Sequence, residues 1–214
     1  GGLWDKYPVE QVATPEGYAR NPELVINFYN ERRKQLLDVV PNAGHLGVAD
    51  LERDFNVTVV TQNVDNLHER AGSTHVIHLH GELTKVCSSR DPYNPHFVKE
   101  LAPEEYEVKL GDKAGDGTQL RPFIVWFGES VPEIETAIRY VEQADIFVII
   151  GTSLNVYPAA GLLNYVPRAA EVYLIDPKPV DTHVMRPIHV IQKGASEGVK
   201  ELKALLAATQ PPLL

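Results

Sequence analysis

Val57-Thr-Val-Val-Thr-Gln-Asn-Val-Asp-Asn-Leu-His68, followed by Ile77-His-Leu-His-Gly-Glu-Leu83, decides how this chain is read. The β-branched run over 57–61 predicts a buried strand. It stops in polar residues, Gln62, Asn63 and Asp65, with no glycine or proline to force an ordinary turn. In open α/β sheets, ligands bind at the carboxyl ends of parallel strands. A second short strand, over 75–79, delivers His80 and Gly81 close behind. Amides, a carboxylate and an imidazole are therefore expected in one crevice. A polar loop of this kind, taken alone, also follows many core strands that bind nothing.

Upstream, residues 1–20 read as irregular, with Tyr7-Pro8 and Thr14-Pro15 as breakers. Asn21-Pro22-Glu23 is a helix start: an N-cap, a proline in the first turn, an acid near the positive end of the dipole. That helix is predicted to reach Val40 and stop before Pro41. Its apolar stripe is Val25, Phe28, Tyr29, Leu36, Val39 and Val40. Arg32 falls on the same stripe, where a guanidinium needs an anionic partner, water, or a route to the surface. Asn42 caps a second predicted helix, over 44–55. A short helix over 67–70, ended by Gly72, separates the two strands of the opening stretch.

Beyond Leu83 the pattern changes. Residues 84–121 are charged and broken by Asp91-Pro92, Asn94-Pro95 and Gly111-Asp-Lys-Ala-Gly-Asp-Gly117. They read as an insertion with a hairpin-like tip. The main pattern resumes with a strand over 123–127 ended by Gly128, a helix over 132–143 and a strand over 146–150. A helix over 158–165, strands over 171–175 and 187–192, and a helix over 196–208 follow, with a frayed tail at Pro211-Pro212. Strands alternating with helices predict an α/β fold with a doubly wound parallel sheet.

A length of 214 residues suits one substantial domain, or a domain with an insertion. The net charge of -9 argues against a general nucleic-acid surface. No apolar run approaches the ~20 residues of a membrane span, and no secretory signal pattern is present. The one cysteine, Cys87, excludes an intrachain disulfide and fits a reducing, cytoplasmic compartment. Gly1 is not an initiator methionine, so the chain is expected to be processed or cut.

Two further features carry chemistry. Gly151-Thr152-Ser153 follows the apolar run over 146–150, where a glycine lets backbone approach a phosphate or ribose and hydroxyls donate. His78 and His80 alternate along one predicted strand, and a His-x-His pair can be half a zinc site. Nothing supplies two more ligands at a sensible spacing, so no metal is expected.

The string Thr61-Gln-Asn-Val-Asp-Asn-Leu-His-Glu-Arg-Ala-Gly72, with His78-Leu-His-Gly-Glu-Leu83, closely resembles the sirtuins, the NAD-dependent protein-lysine deacylases. The resemblance covers nearly the whole chain. It implies a Rossmann-like core over about 42–83 and 122–214, with a small helical and insertion subdomain from 1–41 and 84–121, all in one catalytic domain. It implies NAD as cofactor and acyl-lysine proteins or peptides as partners. With the charge and the lack of a membrane-length apolar run, a monomer that binds neither nucleic acid nor membrane is expected. Gln62, Asn63 and Asp65 match the residues that hold the nicotinamide ribose and carboxamide. His80 matches the general base, which takes a proton from a ribose hydroxyl; a neutral imidazole suits that task. The products are nicotinamide, free lysine and O-acyl-ADP-ribose.

Gly151, Thr152 and Ser153 match contacts to the NAD ribose and phosphates, and Val156 lies in a loop flanking the peptide. Gly194, Ala195 and Ser196 match a loop near the adenine, and Asp176 stands where many members carry Asn. Ile124-Val-Trp-Phe-Gly-Glu129 is similar to the segment that pairs its backbone with the substrate; it includes Val125, Gly128 and Glu129, and Val125 and Phe127 are expected to pack as well. Phe28-Tyr-Asn-Glu-Arg-Arg33 resembles the class III Tyr-x-x-Arg pattern, in which Tyr29 and Arg32 would receive acidic acyl groups such as succinyl and malonyl.

Two departures stand out. The family's first strand and Gly-Ala-Gly-x-Ser loop, which carry diphosphate contacts, are missing, since the chain begins just after that point; NAD binding by these residues alone is expected to be poor. Most members hold a structural zinc with four cysteines, whereas here Cys87 matches the first, Arg90 stands at the second and no others exist. The rival readings are a non-catalytic NAD or ADP-ribose binding module, and an ADP-ribosyl transferase or NAD glycohydrolase using the same site.

Overall fold

The computed structural model describes residues 6–151, 159–179 and 186–209. The chain opens with two short helices, α1 (Val9–Val12) and α2 (Pro15–Arg20), where irregular structure was expected. The reason is local. Thr14 is an N-cap whose hydroxyl accepts from Gly17 N at 2.9 Å, and Pro15 occupies the first helical turn. Thr-Pro here starts a helix instead of breaking one. Helix α3 (Pro22–Leu36) begins as predicted, with Asn21 Oδ1 accepting from Leu24 N. It ends before Val40. Leu37, Asp38 and Val39 each donate to the carbonyl three residues back, which tightens the last turn. That rotates Val39 and Val40 off the stripe, and both are exposed.

Helix α4 (Ala43–Asp50) is capped by Asn42 and passes into a single 3₁₀ turn, Leu51–Arg53. Strands β1 (Val59–Thr61) and β2 (Val76–His78) flank α5 (Leu67–Arg70) and form a two-stranded sheet. Val59 N donates to His75 O and Leu79 N to Thr61 O, a parallel register because both partner numbers rise together. Next come β3 (Gly81–Ser88), β4 (Val98–Glu100) and β5 (Leu120–Ile124), then α6 (Ile134–Val141) and β6 (Ile146–Ile150). A 3₁₀ segment, Ala159–Tyr165, stands where an α-helix was predicted. Strands β7 (Glu171–Ile175) and β8 (His189–Ile191) and helix α7 (Ala195–Thr209) complete the described chain.

By internal contacts the chain divides into two units. The first comprises the described residues up to Val40, with Thr61–Asn66 and His78–Pro132. Its sheet is antiparallel, in the order β4-β3-β5. The expected strand over 123–127 is therefore displaced upstream, and it belongs to this antiparallel sheet instead of resuming the parallel one. The β-rich run Phe-Ile-Val-Trp-Phe signals a strand, but its ladder partner, β3, is fixed by long-range register. Val12, Val25, Phe28, Tyr29, Leu83, Ile124 and Trp126 form one core cluster, and Ile26, Val86, Leu101 and Val108 another. Buried Arg33 donates to Tyr106 O, Leu83 O and Asn30 Oδ1, and Asn30 exchanges two bonds with the Val108 backbone. Burial pushes the Arg33 guanidinium down to about 10.

The second unit comprises Pro41–Val60, Leu67–Ile77 and the described residues from Glu133 onward. Here β6, β7 and β8 are parallel neighbours in that order. Helix α7 packs Val199, Leu202 and Leu206 on Tyr173, Ile175 and Ile191. This is the α/β pattern that alternating elements predicted. Among the described residues no helix is long and apolar enough to cross a membrane.

The tip of the predicted insertion is held by a polar knot. Ser88 is fully buried; its hydroxyl donates to Asp116 Oδ2, lies 3.0 Å from Thr118 Oγ1 and accepts from the Arg90 and Asp91 amides. Removing that oxygen strands two amide donors. Ser88→Ala is expected to cost about 1–3 kcal/mol of stability, read as a lower midpoint in thermal or denaturant unfolding. An unchanged midpoint would show that the tip is held by packing alone.

Candidate functional site

The residues singled out at the end of β1 lie in the first unit with the turn that follows β2. Gln62 and Asp65 are half-buried and Asn63 is exposed. Asn63 N donates to Thr61 Oγ1, which fixes the start of the loop. Strand β2 closes at His78, which is buried with Nδ1 3.0 Å from Asn63 O. His80 lies beyond the strand, in a turn, with the Gln62 backbone acting on its ring.

His80 is half-buried. Burial pulls its pKa below the ordinary imidazole value, and the Gln62 backbone pulls the other way. In the neutral ring one nitrogen holds a lone pair, as a base requires. Gly81 makes this turn possible. Its φ is +89°, and a Cβ there would meet Phe123 O at 2.1 Å.

The segment after β5 is tied to the same turn. Val125 N donates to His80 O at 2.9 Å. Val125 is half-buried, Trp126 is buried, and Phe127 is exposed at 68%, which corrects the expectation that Phe127 packs. The ladder ends at Ile124, so strand alternation no longer governs which side chain turns inward. Gly128, at φ +92°, is exposed. Glu129 faces inward, where Arg121 engages both carboxylate oxygens at 2.9 and 3.1 Å and the Trp126 N–H and Tyr93 hydroxyl donate to Oε1. Its carboxylate is committed to the loop itself. Hydrogen bonds from Arg121 hold Glu129 below the usual carboxylate range against the opposing effect of burial. Arg121 also donates to Ile124 O and stacks 3.8 Å from the Trp126 ring centre.

Tyr29 and Arg32 sit together on α3. The Arg32 guanidinium lies 5.6 Å from the Tyr29 ring centre and 5.9 Å from that of Phe28. Burial lowers the Arg32 pKa, while the Tyr29 hydroxyl and the Asp65 carboxylate oppose that shift. Tyr29 is fully buried, and its hydroxyl accepts from Trp126 Nε1 at 3.1 Å. Burial raises its pKa.

The remaining predicted residues belong to the second unit. Gly151 follows β6 with φ +66°, and its N–H donates to Ile175 O. Asp176 follows β7; its N–H donates to Ile191 O, and its carboxylate accepts from Lys178 N. Ala195 is the first residue of α7, just after β8. Gly151, Asp176 and Ala195 therefore follow the carboxyl ends of three neighbouring parallel strands, where such sheets bind ligands. Thr152, Ser153 and Val156 lie outside the described residues.

The sequence reading passed over Arg121, Tyr93 and Trp126. An arginine just ahead of an apolar strand was a usable signal, because the argument that Arg32 needs a partner applies equally to Arg121. The Trp126 to Tyr29 bond spans 97 residues and left no local trace.

Residues 1–158 match the model of the Sir2 family. An NAD-dependent protein deacylase of Bacteroides thetaiotaomicron is 84% identical over 206 residues, covering 96% of this chain and 88% of that protein. One from Helicobacter pylori (strain 26695) is 46% identical over 201 residues, covering 94% and 85%. The crystal structure of a Sir2 homologue in complex with NAD superposes with a TM-score of 0.80 at 35% identity, covering 98% of this chain and 82% of that one.

Proposed function

The chain belongs to the Sir2 family, and from that premise we propose that it is an NAD-dependent protein-lysine deacylase with His80 as general base. The observation that carries the reading is the imidazole of His80. It is half-buried in the turn after β2, and Val125, on the segment assigned to the peptide, is bonded to its backbone. The polar set at the end of β1 suits a nicotinamide riboside. Gln62 and Asn63 offer amides for hydroxyls, and the Asp65 carboxylate offers an acceptor for a carboxamide N–H. NAD, when bound, supplies the ribose carbon that takes the acyl oxygen as nicotinamide departs. His80 then accepts a ribose hydroxyl proton.

Gly151, Thr152, Ser153, Asp176 and Ala195 serve the cofactor's ribose, phosphate and adenosine parts in this reading, and Val125, Gly128 and Val156 flank the peptide. Glu129 acts from beneath: its carboxylate fixes the peptide-pairing segment and does not meet the substrate. Tyr29 and Arg32 read the far end of the acyl group and favour succinyl or malonyl. The protein works as a cytoplasmic monomer on acyl-lysine proteins, in one catalytic domain whose small subdomain is 1–41 and 84–121. The net charge of -9 fits a protein that binds neither nucleic acid nor an anionic membrane surface.

The family's structural zinc does not fit here. Cys87 is buried, its thiol donates to Pro122 O, and burial pushes it up to about 12. A zinc ligand must be a thiolate, and one cysteine cannot close a tetrahedral site. Elemental analysis of the purified protein is expected to find no stoichiometric zinc; one tightly held ion per chain overturns this.

Nicotinamide release measured with and without an acyl-lysine peptide tests the function. Release that depends on the peptide is expected. Release without peptide indicates an NAD glycohydrolase, and binding without release indicates a non-catalytic module.

A further inference from the structure

Indole Nε1–H is a donor only. Its bond to Tyr29 therefore makes the phenol oxygen the acceptor, at 3.1 Å. The hydrogen on that phenol is then directed away from Trp126. A tyrosine hydroxyl is otherwise two-faced, able to accept from a ligand N–H or donate to a ligand oxygen. Trp126 occupies its acceptor side.

The indole is held for this task. Trp126 is buried, the Arg121 guanidinium stacks 3.8 Å from its ring centre, and Tyr18 packs 5.3 Å away. Its backbone N–H is tied to Glu129 Oε1, and Glu129 is bound at both oxygens by Arg121. The ring has two contacts that resist rotation and the backbone a third. None of these groups lies on α3, so the orientation of the Tyr29 hydroxyl is imposed by the segment assigned to the peptide.

We propose that Trp126 is a specificity-determining residue: its indole N–H commits the Tyr29 hydroxyl to donating, so the site favours acyl groups that end in a hydrogen-bond acceptor. This rests on the reading of Tyr29 and Arg32 as the acyl-sensing pair. It adds a residue outside the Tyr-x-x-Arg pattern, and it makes the choice of acyl group depend on the peptide-pairing segment.

The test compares kcat/KM for matched succinyl- and acetyl-lysine peptides in the full-length protein, for wild type, Trp126→Phe, Tyr29→Phe and the double variant. Phenylalanine keeps an aromatic ring beneath Arg121 and removes the N–H. The succinyl-to-acetyl ratio cancels any general loss of folded enzyme. Trp126→Phe is expected to lower the ratio by about two- to tenfold, the worth of one neutral hydrogen bond, with the change in KM for the succinyl peptide. In the Tyr29→Phe background the same substitution is expected to change the ratio no further, because the two act as one unit.

If Trp126→Phe does not fold, benzothienylalanine placed at position 126 keeps the indole shape, lacks the N–H, and is expected to give the same drop. A wild-type preference that survives Trp126 replacement, or effects that multiply in the double variant, overturns the role of Trp126 and leaves the acyl reading standing. A wild-type ratio near one overturns the acyl reading, and this role with it.

Discussion

His80→Ala is expected to lower deacylation turnover by about 10²–10⁴-fold, the usual cost of losing a positioned general base, while the protein stays folded. The fold should survive because the ring is half-buried and lies in a turn, outside the two core clusters described above for its unit. The backbone features of that turn, the positive φ of Gly81 and the bond from Val125 N to His80 O, do not need the imidazole. The same ring fixes the pH dependence. Burial lowers the His80 pKa below its ordinary value of 6.5, so near neutrality the ring is unprotonated and able to accept a proton. As pH falls through that lowered value the ring gains a proton and the base is lost. The acid limb of kcat/KM is therefore expected below pH 6.5, falling about tenfold per unit, and it should vanish in whatever activity His80→Ala retains. An acid limb centred above 6.5, or near-full turnover in the alanine variant, would show that His80 is not the base. His78→Ala is the contrasting variant. That ring is 8% exposed and set against Asn63 O, so its loss should lower stability before it lowers chemistry.

What the sequence disclosed follows the range of the interactions. Asn21-Pro22 and Asn42 were legible as helix starts because a cap and its amide lie three residues apart. Thr14-Pro15 uses the same chemistry, yet it was read as a break, since proline in a short polar stretch signals either outcome. The parallel run β6-β7-β8 was legible from alternating apolar strands and helices. The partner of β5 was not: Gly81 meets Ile124 across 43 residues, and only the folded register decides that.

In the site, residues were easier to name than their neighbours. Glu129 was singled out for the substrate, whereas its oxygens are taken by Arg121, Tyr93 and Trp126 N. A motif marks which residues a site needs. It does not tell which atoms face the ligand and which hold the loop in place.

Arg32→Met is expected to reduce the preference for succinyl- over acetyl-lysine by roughly ten- to a hundredfold, with most of the loss in kcat/KM for the acidic peptide. A hydrogen bond to a charged group contributes about 1.5–3 kcal/mol, which converts to that range. The position of Arg32 supports the assignment. It is half-buried on the inward stripe of α3, with its guanidinium carbon within 6 Å of the Phe28 and Tyr29 ring centres. Burial works against its charge, and Asp65 is one of the groups that sustain it. A succinyl or malonyl carboxylate would add a second anion beside a cation that water solvates poorly. An acetyl methyl offers nothing in return for the desolvation. Methionine preserves much of the length and the apolar stem, so packing on Phe28 and Tyr29 is largely retained and the missing charge is isolated. Arg32→Lys is the sharper comparison. It keeps the charge, but an ammonium cannot form the paired fork with a carboxylate, so only part of the preference should return. Matched peptides assayed on the full-length protein decide it. Equal losses on both peptides would return Arg32 to a structural role, and full recovery in Arg32→Lys would show that net charge, not fork geometry, selects the acyl group.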